Sequence, residues 1–128
     1  MRRTEIRTDT APTPKGTYSQ ALRVGDFVYT SGFGPHDPGT GEVVGSDIGE
    51  QTEQTLHNVD AALRAAGASL AAAVKMTVHL SDLNDFAGFD AVYRSKLSEP
   101  YPVRTTVGSR LAGILVEIDA VAVVGEDD

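Results

Sequence analysis

The sequence predicts one α+β domain spanning residues 1–128. Three observations carry that expectation. Apolar residues recur every three or four positions from Ile48 to Ala66, a period of two replaces that recurrence in Val74 to Leu80 and in Leu115 to Val124, and a chain of 128 residues suits one hydrophobic core rather than two.

The segment Ala21 to Gly32 is rich in β-formers and carries turn chemistry at Val24-Gly25-Asp26, which predicts a hairpin continuing through Phe27-Val28-Tyr29-Thr30. Asp37-Pro38-Gly39-Thr40-Gly41 suits a tight turn into Glu42-Val43-Val44, and this stretch is expected to be surface loop. From Asp47 the residues Ile48, Thr52, Leu56, Val59, Leu63 and Ala66 share a helical face, with Asp47 and Glu50 placed to cap the start and Gly67 the end. Val74, Met76, Val78 and Leu80 then alternate with Lys75, Thr77 and His79, a strand with one buried face. Asp82 is expected to cap a second helix with Leu83, Phe86, Asp90, Tyr93 and Leu97 on one side, ending by about Ser98 before Pro100 and Pro102. Two strands follow, Val103 to Val107 and Leu115 to Val124, and their short connection predicts an antiparallel pair. The order is ββ(β)αβαββ, with only the first dozen and last four residues expected to be loose.

Composition removes several function classes. The chain has no cysteine, which excludes disulfide scaffolds, thiolate nucleophiles and cysteine-ligated clusters. Its net charge of −7 and scattered basic residues argue against nucleic-acid binding, although one pocket arginine still suffices to hold a small carboxylate. No stretch reaches the roughly 20 apolar residues of a membrane span, and Met1 to Pro12 lacks the apolar centre of a signal peptide, so the cytoplasm is the expected compartment. His36, His57 and His79 show no ligand spacing; surface histidines are expected and a metal site is not.

Candidate chemistry gathers on the last two strands. Glu117 and Asp119 share a face with Leu115, Val121 and Val123, so that face is either solvated, covered by a partner subunit, or part of a site. Arg104 and Thr106 share a side of the preceding strand, and pairing of the two strands would let Arg104 approach Glu117, either as an exposed ion pair of little consequence or as a pocket. Ser31-Gly32 adds a serine at a strand end.

Several segments taken together resemble the Rid family, also called the YjgF/YER057c/UK114 family, of enamine and imine deaminases. They are Ala11-Pro12, Gly16-Thr17-Tyr18-Ser19-Gln20-Ala21, Val28-Tyr29-Thr30-Ser31-Gly32, Gln51-Thr52 with Asn58, Val74-Lys75 with Val78, Tyr93, Pro102-Val103-Arg104, and Val116-Glu117-Ile118-Asp119-Ala120. The resemblance spans nearly the whole chain. It implies the chorismate-mutase-like fold of the bacillus type: a mixed six-stranded sheet with two helices on one face, assembled as a homotrimer around a barrel-like core with clefts between subunits. The implied reaction hydrolyses 2-iminoacids, or their 2-aminoacrylate- or 2-aminocrotonate-type enamines, to 2-ketoacids and ammonia. Arg104 would hold the substrate carboxylate in a bidentate grip, Glu117 would orient or activate water, and Tyr18 with Ser31-Gly32 would line the pocket. No cofactor is implied, because the imine carbon is already electrophilic.

The sequence departs from the family pattern at three positions of that pocket. Phe33 stands where Gln is frequent, Thr106 where Cys is frequent, and Asp90 where Asn is frequent, and the loop before Arg104 looks short. These bear on which substrate is accepted more than on reaction class. Two other readings stand beside the deaminase: a non-catalytic carboxylate-binding or chaperone-like trimer, and a specialised enamine deaminase acting on a larger substrate. Ribonuclease activity, also attached to the family, fits least with the acidity and the lack of an acid/base histidine pair.

Overall fold

The computed structural model describes residues 1–125, with strands β1 (Arg3–Ile6), β2 (Ala21–Val24), β3 (Phe27–Thr30), β4 (Ala73–Leu80), β5 (Val103–Gly108) and β6 (Val116–Val123), and helices α1 (Ile48–Ala65) and α2 (Phe86–Lys96). The strands form one six-stranded sheet in the order β1-β2-β3-β6-β4-β5. All neighbours are antiparallel except β4 and β5, which run parallel with Met76 opposite Arg104 and Leu80 opposite Gly108. Both helices cover one face, so the mixed sheet with two helices on one side that the resemblance implies is the fold observed.

The local elements form for the reasons their residues give. Asp47 accepts from Glu50 N at 2.8 Å and Glu50 reaches back to Ser46 N at 2.9 Å, so two amide donors at the start of α1 are satisfied. At the other end Gly67 takes a positive φ of 90°, and Gly67 N and Ala68 N close on Arg64 O and Leu63 O. The inner face of α1 places Leu56, Val59, Ala62 and Leu63, each at most 1 % exposed, among the buried core residues with Met76, Val78 and Leu80 of β4 and Val116, Ile118, Ala120 and Ala122 of β6. Each large aliphatic side chain buried this way contributes roughly 1.5–3 kcal/mol.

Four sequence expectations change. β5 does not pair with β6; α2 is the crossover that carries the chain from β4 to a parallel β5 at the sheet edge, and residues 109–115 bring it back to the slot between β3 and β4. The second helix begins at Phe86, because Asp82 caps a 3₁₀ turn over Leu83–Asp85. That turn sets Leu83 outside the helix and exposed, while Phe89, absent from the expected face, is buried with Tyr93 and Leu97. The amino end is not loose: Arg3–Ile6 pairs with β2, and Ala11 joins the core. Glu42-Val43-Val44 is loop, tied by a single bridge from Val43 to His36. Of the last four residues, 126–128 lie outside the described part. Among the described residues no helix is long and apolar enough to cross a membrane.

The open face of the sheet carries apolar side chains. Phe27 and Tyr29 of β3 are 44 % and 46 % exposed, and Val103 of β5 is 67 % exposed. Phe27 and Tyr29 lie opposite Val123 and Val121 of β6, an apolar cluster of the kind that monomeric proteins rarely leave open, while Val103 stands apart on the edge strand.

Two candidate clefts on opposite faces of the sheet

Register decides where the candidate residues point. Arg104 pairs with Met76, whose side chain lies under the helices, whereas Glu117 pairs with His79 on the open face. Within one subunit Arg104 and Glu117 are therefore separated by the sheet. The ion pair or shared pocket raised by their sequence placement does not form inside the chain.

Arg104 is built into the helix side by one face of α2. Phe86, Phe89, Asp90 and Tyr93 follow the i, i+3, i+4, i+7 spacing that brings side chains together on a helix. The guanidinium carbon lies 5.4 Å from the Phe86 and Phe89 ring centres and 4.6 Å from that of Tyr93. Its Nη1 donates to Asp90 Oδ1 at 2.9 Å, with both side chains only 22 % exposed. Asp90 also accepts from Arg94 at 2.9 Å, so two guanidinium groups share one carboxylate. Burial pushes the Tyr93 phenol above its usual pKa, with Arg104 opposing, and its hydroxyl rests on Met76 Sδ at 3.4 Å. Asp90, Tyr93, Arg94 and Arg104 border a recess of about 340 Å³ completed by Tyr101 and Pro102.

A second cleft, also about 340 Å³, opens beside Glu117. Its floor is the strip 32–36, docked on β6 by reciprocal 2.9 Å bonds between Phe33 and Ile118. Gly32 and Gly34 face the cleft because any side chain would collide: a Cβ at Gly32 would lie 2.5 Å from Glu117 Oε2, and one at Gly34 2.8 Å from Ile114 Cδ1. Tyr18 is half exposed at the rim, where its hydroxyl accepts from Lys15 N at 3.2 Å. Thr13, Lys15, His36, Asp37 and Thr40 add further polar groups to the lining.

Three buried amides hold the loops that shape this cleft. Gln20 donates to the carbonyls of Thr8, Ala11 and Pro12 at 3.0, 3.2 and 2.9 Å and accepts from Thr8 N at 2.8 Å. Asn58, fully buried in α1, donates to Gly34 O at 2.9 Å and His36 O at 2.8 Å. Gln51 accepts from Leu115 N at 2.8 Å and donates to Gly45 O at 3.0 Å. Buried side-chain amides paired to loop backbone in this way fix geometry, because a buried carbonyl left unpaired is costly.

The candidate residues thus divide. Tyr18, Gly32, Phe33 and Glu117 border one cleft, Arg104 and Asp90 the other. The Phe33 side chain itself is 5 % exposed and belongs to the core, so this departure from the family pattern fills space beneath the sheet. Ser31 immediately precedes the strip, its N donating to Gln20 O, and its hydroxyl is buried without a partner and lines neither cleft. Thr106 sits on the helix side two residues from Arg104, also outside both. His36, expected at the surface, is half buried in the Glu117 cleft, and His79 donates to or accepts from Ser109 Oγ at 2.6 Å; only His57 is exposed. Among the described residues no three His, Asp or Glu side chains are grouped so as to hold a metal ion.

Comparison with known proteins gives one consistent result. The family described as Endoribonuclease L-PSP matches residues 8–124. A RutC family protein of Pyrococcus abyssi is 48 % identical over 124 residues, covering 95 % of this chain and 98 % of that protein. The 2-iminobutanoate/2-iminopropanoate deaminase of Bos taurus is 38 % identical over 122 residues, covering 94 % and 89 %. Among solved structures, RidA from an Antarctic Psychrobacter superposes with a TM-score of 0.90 at 43 % identity, covering 94 % of this chain and 99 % of that one.

Proposed function

The chain belongs to the Rid (YjgF/YER057c/UK114) family, and from that premise we propose that it hydrolyses 2-iminoacids and their enamine tautomers to 2-ketoacids and ammonia. The observation that carries this reading is the state of Arg104: a guanidinium laid on three rings, held at one edge by Asp90, and open to a recess of small-molecule size. A planar fork restrained in that way is prepared to grip a carboxylate with two parallel hydrogen bonds, which a lysine cannot do. The bovine relative, a 2-iminobutanoate/2-iminopropanoate deaminase by name, supports the substrate class, since both imines carry the carboxylate that Arg104 would take.

The working site is proposed to form between subunits of a homotrimer. Arg104 and Glu117 leave opposite faces of the sheet, so only a neighbouring copy brings one to the other. The apolar open face around Phe27 and Tyr29 supports this, because association would remove it from water. In the assembled cleft Arg104 fixes the carboxylate, Glu117 orients the attacking water, and Tyr18 with the Gly32 backbone bounds the substrate. The imine carbon is electrophilic already, so positioning with modest acid/base help suffices.

The test is turnover of 2-iminobutanoate or 2-iminopropanoate generated in place by a threonine or serine dehydratase, followed by loss of semicarbazide-trapped product. Wild type should accelerate imine decay, and Arg104→Ala should abolish the acceleration. Equal behaviour of the two overturns the catalytic role. Saturable ketoacid binding without ammonia release points instead to a carboxylate-binding trimer.

A further inference from the structure

Hydrolysis of an imine moves protons at two stages, and Glu117 is one acid/base group assigned to the cleft. A second titratable side chain lies beside it. Gly32 and Gly34 flank Phe33 at its bridge to Ile118, so both present bare backbone to the side on which Glu117 emerges. A Cβ at Gly32 would stand 2.5 Å from Glu117 Oε2, and one at Gly34 would stand 3.0 Å from Cε1 of His36. Carboxylate and imidazole therefore lie over the same two-glycine strip, inside one cleft. Asn58 clamps the carbonyls of Gly34 and His36, so the backbone from which the ring projects is fixed. The bonds that hold this loop use the His36 carbonyl and leave the ring to the cleft.

We infer that His36 is the proton shuttle of this cleft, receiving a proton from the attacking water and delivering it to the departing nitrogen. The inference rests on the imine-hydrolase reading above. As water attacks the iminium carbon, the new C–O bond forms, the C=N π pair moves to nitrogen, and the water proton passes to the neutral imidazole. The imidazolium returns that proton to the carbinolamine nitrogen. The C–N bond then breaks with its electron pair leaving on ammonia, while the hydroxyl proton returns to the imidazole and leaves with ammonia as ammonium. Glu117 stabilises the imidazolium while it exists. Within one subunit the charged and titratable groups around the ring are Lys15 and Tyr18 from the amino-terminal loop, Asp37 from its own loop, and Glu117 from β6, and the proposed assembly adds Arg104 of the partner subunit. Burial lowers the His36 pKa below its ordinary 6.5, Lys15 lowers it further and Glu117 opposes, so the ring is mainly neutral at pH 7 and ready to accept.

The experiment is steady-state kinetics of wild type and His36→Gln across about pH 5 to 8, with imine made in place by an amino-acid oxidase. Wild-type activity should fall on the acidic side as His36 becomes protonated. The variant should lose kcat on the order of 10²-fold with KM little changed, and its acidic limb should disappear. A variant that keeps its kcat and the same acidic limb overturns the shuttle while leaving the deaminase reading intact. Wild type without turnover overturns both. Should His36→Gln fail to fold, NMR titration of the His36 ring in wild type and Glu117→Gln decides. A lower pKa in Glu117→Gln is expected, and an unmoved one overturns the pairing.

Discussion

The Arg104 recess and the Glu117 cleft lie back to back on one sheet and are held by different kinds of structure. Arg104 is positioned by a single stretch of chain, the face of α2 from Phe86 to Tyr93, through ring contacts and one ion pair. The Glu117 cleft is positioned at long range: Asn58 reaches back to residues 34 and 36, Gln51 reaches forward to residue 115, and Gln20 reaches back to residues 8–12. The first kind of site tolerates damage elsewhere and fails with its own side chains. The second depends on buried amides that never touch a substrate.

That contrast can be broken from either side. The largest loss is expected from Arg104→Lys, which keeps the charge but loses the fork and the fit over the rings. Its kcat/KM should fall on the order of 10²- to 10³-fold, the scale of removing one member of a hydrogen-bonded charge pair, with the thermal midpoint little altered. Activity near wild type in this variant would mean that Arg104 contributes charge alone. Asn58→Ala should do the reverse and act first on stability. Leaving the Gly34 carbonyl unpaired, and the His36 carbonyl with only the long 3.5 Å bond from Gln54, should cost about 1–3 kcal/mol, read by chemical denaturation, and an unchanged midpoint would remove Asn58 from the scaffold.

Two milder substitutions sharpen the comparison. Gly32→Ala places a methyl against the end of the flexible Glu117 side chain, so the chain should fold while the carboxylate is displaced. A fall of roughly tenfold in kcat with near-normal stability is expected, and a normal kcat would show that Glu117 has no need of its present position. Asp90→Asn puts an amide, frequent in the family, in place of the carboxylate that holds one edge of Arg104. KM should rise by a factor of roughly two to five at constant kcat, the scale of a partly exposed ion pair. A drop in KM would identify Asp90 as a group that occupies the fork rather than one that aims it.

The same contrast explains what the sequence made legible. Local periodicities located α1, β4 and β6, and the caps at Asp47 and Gly67 follow from neighbours within a turn or two. The parallel placement of β5 is set by a crossover, and nothing within Val103 to Gly108 distinguishes a parallel edge from an antiparallel one. Strand parity gave Glu117 and Arg104 their own faces but not their relation, because that depends on which strand lies between them. Gln20 and Asn58 stood out only as parts of matched segments; their role as anchors depends on burial and on partners up to 24 positions away. His36 read as a loop histidine for the same reason, since its place in the cleft comes from the strip docking on Ile118.

The sheet that separates Arg104 from Glu117 has a genetic consequence. In the proposed assembly each working site takes its arginine from one subunit and its carboxylate from the next, so two defective chains can repair each other. Co-expressed Arg104→Ala and Glu117→Ala chains, each inactive alone, would combine at random to leave about one quarter of the sites with both groups intact. Two alleles that fail separately would then complement within one protein.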